Sequence, residues 1–261
     1  MQETVHLRRD GAVAIITLDR PEKVNALDRP MLDRLIGLLD EIARSGGVRA
    51  VLLTGAGRAF SAGQDLADPA FWRDPDFDIA AVVEQTYNAI VRRLRALPIP
   101  TIAAVNGVAA GAGANLALAC DIVIAARSAS FLQAFARIGL IPAAGGTFML
   151  TRLLGEARAK ALAMLAEPLP AETAAQWGLI WKVVDDAALA DEALALARRL
   201  ADGPTAALAL TKLAIEAASE HDLSAQLDLE RDLQAAAGRT QDFAEGITAF
   251  LEKRQPAFRG A

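Results

Sequence analysis

Two glycine-rich segments of the chain could supply backbone N–H groups to one developing negative charge. They run from Arg58 to Leu66 and from Asn106 to Ala114, and each follows a short apolar run. Small residues let a ligand approach the backbone closely, and the first turn of a helix leaves its N–H groups without intrahelical partners. The N–H groups of Gln64 and Ala112 could thus form an oxyanion hole. For the second segment, tight packing of a helix on a sheet is the alternative explanation.

Other catalytic motifs are missing from the sequence. Gly111-Ala112-Gly113 lacks the third glycine of a dinucleotide-binding motif, and there is no Gly-Lys-Ser/Thr of a P-loop. Ser61 does not lie in a Gly-x-Ser-x-Gly elbow. The two histidines, His6 and His221, lie near opposite ends of the chain and are most simply surface or packing residues. We therefore expect neither a serine hydrolase nor a nucleotide-binding enzyme, and no metal site.

The composition restricts the class of protein further. The chain has 261 residues, of which 53% are hydrophobic and only 5% aromatic, which predicts a helix-rich protein that buries apolar surface between copies of itself. A net charge of -5 gives no field that attracts nucleic acid or anionic lipid. Its one cysteine, Cys120, excludes an internal disulfide and is expected to be a small buried hydrophobe. We expect a cytoplasmic protein, since no signal peptide or membrane span is evident.

Strand and helix patterns alternate along the first part of the chain, which predicts an α/β fold. Strands are expected at 5–9 and 12–18 around an Asp10-Gly11 turn, then at 48–54, 101–105, 122–126 and 181–184. Helices are expected after the capping residue Asp28, over 79–97, and from near Gly111, Gly145 and Ala171.

From about residue 186 only helical patterns follow, at 187–201, 205–218, 223–237 and 240–254. We therefore predict a core over 1–185 and a helical region over 186–261. The stretch from Asp68 to Asp78 reads as a loop because it is polar and rich in Pro and Asp. The stretch 68–88 is expected to line a ligand pocket.

Four segments carry a resemblance to a known family. They are 19–27 (DRPEKVNAL), 59–66 (AFSAGQDL), 103–107 (AAVNG) with its glycine-rich continuation, and 139–147 (GLIPAAGGT). With these motifs in order, the chain resembles the crotonase (enoyl-CoA hydratase/isomerase) superfamily from residue 5 to its end. Four segments carry a narrower resemblance: 63–66 (GQDL), 109–114 (AAGAGA), 121–129 (DIVIAARSA) and 226–232 (QLDLERD). By these, the chain is most similar within that superfamily to the ring-epoxide CoA isomerases of phenylacetate degradation.

The resemblance implies a spiral core of ββα turns and a C-terminal helical trimerisation region, assembled as a trimer or a dimer of trimers. It implies an acyl-CoA thioester as substrate, with no cofactor or metal beyond the CoA of the substrate itself. Gln64 and Ala112 take the positions of the oxyanion hole. The positions implied for binding substrate and CoA are Lys23, Val24, Ala26, Ala62, Gln64, Asp65, Leu66, Gly111, Asn115, Phe135, Phe250 and Lys253, the last two reaching the CoA of a neighbouring subunit.

Three positions depart from the pattern of the family. Asn115 and Phe135 stand where hydratases carry two glutamates, so the usual addition of water is not expected. Ala143 stands where the isomerases carry an aspartate, and alanine cannot move a proton. Three interpretations remain: an inactivated isomerase, a natural relative that uses another group, and a CoA-thioester binder with little activity.

The function implied is isomerisation of an acyl-CoA through a thioester enolate. Either a ring epoxide is converted to an oxepin, or a 3,4 double bond moves to the 2,3 position. The alternatives are an enoyl-CoA hydratase and a non-catalytic CoA-thioester-binding subunit.

Overall fold

The larger sheet contains the long apolar strands that the sequence predicts. In the computed structural model, which describes residues 3–67 and 77–260, its strands are β1 (Val5–Asp10), β2 (Val13–Leu18), β3 (Ala50–Gly55), β5 (Thr101–Val105), β7 (Ile122–Ala126) and β10 (Lys182–Val184). They lie in the order β1-β2-β3-β5-β7-β10, with β1 and β2 antiparallel around the predicted hairpin turn and the others parallel. A sheet of this kind is covered on its faces by helices, so its central strands are almost wholly apolar.

A second, smaller sheet was not predicted. Its strands are β4 (Ala59–Ser61), β6 (Val108–Ala110), β8 (Ser130–Leu132) and β9 (Leu169–Pro170). β4, β6 and β8 are parallel, and β9 pairs antiparallel with β8. Strands of two or three residues are too short to show a period in the sequence. Each of β4, β6 and β8 follows a strand of the larger sheet, which produces the repeated two-strand unit of the expected spiral.

The helices agree closely with the patterns of the sequence. They are α1 (Arg29–Arg44), α2 (Ile79–Val83), α3 (Ala89–Ala96), α4 (Ala112–Leu118), α5 (Gly146–Leu165), α6 (Ala171–Trp177), α7 (Leu189–Ala201), α8 (Thr205–Ala217), α9 (Leu223–Ala237) and α10 (Gln241–Glu252). Asp28 caps α1 as predicted, since its side chain accepts a hydrogen bond from the N–H of Met31 at 3.0 Å. No helix of the described residues is long and apolar enough to cross a membrane.

The segment between α2 and α3 is a π-helix, from Glu84 to Asn88. A π turn holds one more residue than an α turn, so the residues on its two sides face different directions. Residues 68–76, which the sequence assigns to a loop and to the acyl pocket, lie outside the described part of the chain.

The C-terminal helices differ in how they pack. Leu189, Ala193 and Ala197 of α7 are buried in the core against the larger sheet, so the core extends past the boundary predicted at residue 185. By contrast, α8, α9 and α10 leave large apolar side chains exposed, including Leu223 and Phe250. In packing terms, α7 belongs with the core and the helical region begins at α8.

The C-terminal tail is held on the core by Arg49, which precedes β3. Its guanidinium donates hydrogen bonds to Thr205 Oγ1 (2.9 Å), Phe258 O (3.1 Å) and Gly203 O (2.5 Å). Asp242 lies nearby, nearly fully buried, and accepts from the N–H groups of residues 259 and 260. One side chain thus joins the start of a core strand to the start of α8 and to the tail.

We expect Arg49→Ala to lower the free energy of unfolding by about 2 to 3 kcal/mol, because it removes three charge-assisted hydrogen bonds to partly buried oxygens. Urea denaturation measures this change. Arg29→Ala is the control, since the Arg29–Asp33 ion pair is exposed and contributes at most about 0.5 kcal/mol. Equal losses of unfolding free energy in the two variants would contradict the stabilising role assigned to the three hydrogen bonds of Arg49.

Glu245 provides a second, pH-dependent attachment of the tail. Its carboxylate accepts from Arg254 at 2.6 and 2.9 Å and from the N–H of Ala257 at 2.7 Å. These hydrogen bonds, those of Arg254 above all, lower the pKa of Glu245 to about 2. Because the folded pKa is lower than the usual 4.5, the contribution of Glu245 is complete above pH 4.5 and is lost as the pH falls towards 2.

We therefore expect Glu245→Gln to lower the melting temperature at pH 7, and the difference from the unchanged protein to vanish between pH 4.5 and 2. Thermal unfolding followed by circular dichroism over that range measures the difference. Glu156→Gln is the control, because among the described residues Glu156 pairs with Lys160 alone, on an exposed helix surface. A difference that stays constant with pH would show that Glu245 does not act through its charge.

Candidate functional site

An apolar cavity of about 780 Å³ lies beside the smaller sheet. Its walls come from the segments that follow β4, β6 and β8, from α2 with the π segment, and from the turn before α5. The described lining residues are Ala62, Gln64, Leu66, Ile79, Ala80, Val82, Val83, Glu84, Tyr87, Asn88, Gly111, Ala112, Ala134, Phe135, Arg137, Ile138, Leu140, Ile141, Pro142 and Ala143. Most of these side chains are apolar, as is usual for a pocket that binds a small molecule.

The smaller sheet brings three of these segments together. Gln64 follows β4, Gly111 and Ala112 follow β6, and Phe135 follows β8. Because the three strands are parallel, their carboxyl ends lie at one edge, and the residues after them reach the same space. The ring of Phe135 lies close to Gly111, since a Cβ atom added there would be 3.9 Å from its Cζ.

Two backbone segments beside the cavity approach each other closely at Gly63. Its φ of +85° favours glycine, and a Cβ at this position would lie 2.7 Å from the carbonyl oxygen of Ala110. The same Cβ would be 3.3 Å from the backbone nitrogen of Ala112. The two predicted donor segments are therefore adjacent in space. Among the described residues, neither the N–H of Gln64 nor that of Ala112 donates a hydrogen bond to a protein acceptor.

Ala143 lies on the wall of this cavity, in the turn that leads to α5. Its carbonyl oxygen accepts a hydrogen bond from Asn115 Nδ2 at 2.8 Å, and Asn115 Oδ1 accepts from Gln133 Nε2 at 2.9 Å. Asn115 is fully buried and does not line the cavity. The expected contact of Asn115 with substrate is therefore not supported. Its amide instead holds the turn that carries Ala143.

The other predicted positions divide into three groups. Ala62, Leu66, Gly111 and Phe135 line the cavity with Gln64. Lys23, Val24 and Ala26 lie on the neighbouring segment, where the N–H of Ala62 donates to the carbonyl oxygen of Val24 at 2.9 Å. Phe250 and Lys253 are exposed at the end of α10 and do not line the cavity. Their roles toward CoA stay predictions.

Asp65 does not face the cavity. Its carboxylate is buried and accepts hydrogen bonds from both terminal nitrogens of Arg20, each at 3.1 Å. Arg20 also donates to the carbonyl oxygen of Ala26 at 2.7 Å. This ion pair fixes the segment around Ala26 against the segment around Gln64, so the side chain of Asp65 supports the wall, and its predicted contact with CoA stays a prediction.

No pattern in the sequence pointed to the individual polar side chains of the π segment. Tyr87 is 4% exposed, its hydroxyl donates to Gln64 Oε1, and burial raises its pKa well above the usual value. Glu84 is the one carboxylate among the described lining residues. Arg92 and Asn88 bind it and hold its pKa below the usual range, which makes it a weak base. Only the expectation that 68–88 lines a pocket pointed to this region.

Cys120 lies away from this cavity. It is buried, as the sequence predicted, and burial raises the pKa of its thiol to about 12. A thiol with that pKa is not ionised near neutral pH, so Cys120 is not a nucleophile.

Comparison with known proteins fits this architecture. The sequence profile of the enoyl-CoA hydratase/isomerase family matches residues 8–261. This chain belongs to that family.

Individual members of the enoyl-CoA hydratase/isomerase family differ in activity. The chain is 52% identical over 264 residues to 1,2-epoxyphenylacetyl-CoA isomerase of Escherichia coli (strain K12), covering 100% of both chains. It is 38% identical to 2,3-dehydroadipyl-CoA hydratase of the same organism, covering 97% of both. The crystal structure of enoyl-CoA hydratase from Bacillus anthracis superposes with a TM-score of 0.92 at 34% identity, covering 99% of this chain and 100% of that one. The crotonase fold is thereby shown.

We expect Gly63→Ala to lower the free energy of unfolding by about 1 to 3 kcal/mol, because the added Cβ meets the Ala110 carbonyl and the φ is unfavourable. Urea denaturation measures it. Gly37→Ala adds the same atom in α1, where nothing lies within 4 Å, and should raise stability by about 0.5 to 1 kcal/mol. A neutral Gly63→Ala would mean that the two segments do not meet as described.

Proposed function

We propose that this protein is an acyl-CoA isomerase that holds a thioester oxygen between the N–H groups of Gln64 and Ala112. The observation that carries this proposal is the adjacency of these two N–H groups, without protein acceptors among the described residues, in an apolar cavity. When the α-proton of a thioester leaves, negative charge forms on the carbonyl oxygen. Two positioned donors stabilise that charge, and one such donor is worth roughly 3 to 4 kcal/mol.

The substrate we propose is a ring-epoxide or unsaturated acyl-CoA of phenylacetate degradation. The 52% identity to 1,2-epoxyphenylacetyl-CoA isomerase over the full chain supports this choice. The apolar lining suits an unsaturated ring, and CoA enters as part of the substrate, with no further cofactor.

Hydration is the less favoured activity. A hydratase of this family needs two carboxylates to activate water, and positions 115 and 135 carry Asn115 and Phe135. Glu84, the one carboxylate among the described lining residues, is bound by Arg92 and Asn88. The similarity to 2,3-dehydroadipyl-CoA hydratase keeps crotonyl-CoA hydration as an assay, and a substantial rate would overturn the isomerase proposal.

Isomerisation needs a side chain that accepts and returns the α-proton, and the methyl group of Ala143 cannot do so. We expect Ala143→Asp to raise the isomerisation rate by about 10²- to 10⁴-fold, because a carboxylate on this wall can act as a general acid and base. The assay follows ring-epoxide and 3,4-unsaturated CoA thioesters by their ultraviolet absorption. Ala143→Asn is the matched control, since it has nearly the same shape and cannot shuttle a proton.

Equal rates of Ala143→Asp and Ala143→Asn would contradict a proton-transfer role for position 143. No gain in either variant, with acyl-CoA binding intact by calorimetry, would favour a non-catalytic CoA-thioester-binding subunit. A crystal structure with a bound acyl-CoA whose thioester oxygen lies far from Gln64 and Ala112 would refute the catalytic proposal as a whole.

A further inference from the structure

The only tyrosine of the chain lies at the proposed oxyanion hole. Tyr87 lines the cavity from the π segment, is nearly fully buried, and donates its hydroxyl hydrogen to Gln64 Oε1. Gln64 Nε2 donates in turn to the carbonyl oxygen of Asp65 at 3.3 Å. Both ends of the Gln64 amide are therefore bound, one of them by a group from a distant part of the chain.

The π turn explains how Tyr87 reaches this position. One extra residue in a helical turn rotates the preceding helix by about 100° relative to the following one. As a result, Val82 and Val83 of α2 face the cavity, while Ile90 and Leu94 of α3 are buried in the core. Tyr87 lies in the π turn between the cavity-facing residues of α2 and the core-facing residues of α3. There its ring is buried and its hydroxyl contacts Gln64.

The hydrogen bond fixes a residue that would otherwise have a mobile side chain. Gln64 comes directly after a glycine with positive φ, and the residues on its two sides, Gly63 and Asp65, are hydrogen-bonded to Leu27. A released amide is free to rotate into the apolar cavity, and the peptide that carries the Gln64 N–H then lacks this side-chain constraint. The phenol remains a donor throughout the neutral range, because burial keeps it protonated.

We propose that Tyr87 is a positioning residue that fixes the Gln64 donor of the oxyanion hole through its hydrogen bond to Gln64 Oε1. This inference rests on the proposed function, because it assigns a task to the same N–H group. Tyr87 acts through Gln64 and does not transfer a proton. Its loss should therefore weaken polarisation of the thioester more than it weakens binding of the CoA.

The test is the ultraviolet red shift of cinnamoyl-CoA on binding, which reports polarisation of its conjugated thioester carbonyl and needs no turnover. We expect a red shift with the unchanged protein and less than half of it with Tyr87→Phe, while the dissociation constant changes less than about threefold. On an isomerisable substrate, kcat should fall by roughly 5- to 20-fold at a nearly constant KM.

Thr86→Val is the matched control. Thr86 is the neighbouring buried residue of the π segment, its hydroxyl donates to the carbonyl oxygen of Val82 at 2.6 Å, and Thr86 itself does not line the cavity. This change removes a hydroxyl from the same turn and should leave the red shift intact. A loss equal to that of Tyr87→Phe would mean that the π segment acts only through its general packing, which would overturn the proposal.

Gln64→Leu breaks the same hydrogen bond from the other side and keeps the backbone N–H. It should reproduce the effect of Tyr87→Phe, and the double variant should lose little more than either single variant, since both remove one interaction. Gln64→Leu also tests the hydrogen bond on its own if Tyr87→Phe fails to fold. Additive losses, or a full red shift in Tyr87→Phe, would overturn the positioning role. A cinnamoyl-CoA complex of the unchanged protein without any red shift would instead refute the oxyanion hole itself.

Discussion

The site depends on how closely the backbones of the smaller sheet approach their neighbours. A Cβ at Gly107 would lie 2.1 Å from the carbonyl oxygen of Arg58, and one at Gly113 would lie 2.7 Å from Ser61 Cβ. Real side chains do not tolerate such distances, so glycine is required where β4, β6 and α4 meet. The approach leaves no room for side chains between the segments, and the proposed function assigns the contact with the thioester oxygen to backbone N–H groups at this place.

The rest of the fold holds this contact in place. The larger sheet sets the spacing of β3, β5 and β7, and each of these strands leads into one strand of the smaller sheet after a short turn. A shift between two strands of the large sheet would therefore displace one donor relative to the other. Side chains fix the turns, as where Asn25 donates to the carbonyl oxygens of Ala56 and Ala59 at 2.9 and 2.8 Å.

The sequence predicts the strands and helices that a local residue pattern encodes. It does not predict features that arise from contacts between residues distant in sequence. The five-residue strand β5 matches its prediction, because an apolar run between proline and asparagine is a local signal. The three-residue strand β6 shows no period, and the π turn at Tyr87 continues a helical pattern, so neither was predicted. Burial of Asn115 against Ala143 arises from a contact between residues 28 positions apart, which no local pattern encodes. The adjacency of the two glycine-rich segments could be predicted because glycine marks close approach of the backbone, and the donor role of Gln64 and Ala112 stays a prediction.

The site separates two tasks that enolate chemistry needs. In the proposed function, backbone N–H groups stabilise charge without titrating, and their strength depends on position, which we propose the strands and the Tyr87–Gln64 hydrogen bond control. Proton transfer needs a titratable side chain within reach, and the described wall has an alanine at position 143. Because Asn115 holds the backbone of that turn and not its side chain, the identity of residue 143 can change while the turn stays fixed. In the proposed function, the two N–H donors are thus independent of the group that moves the proton.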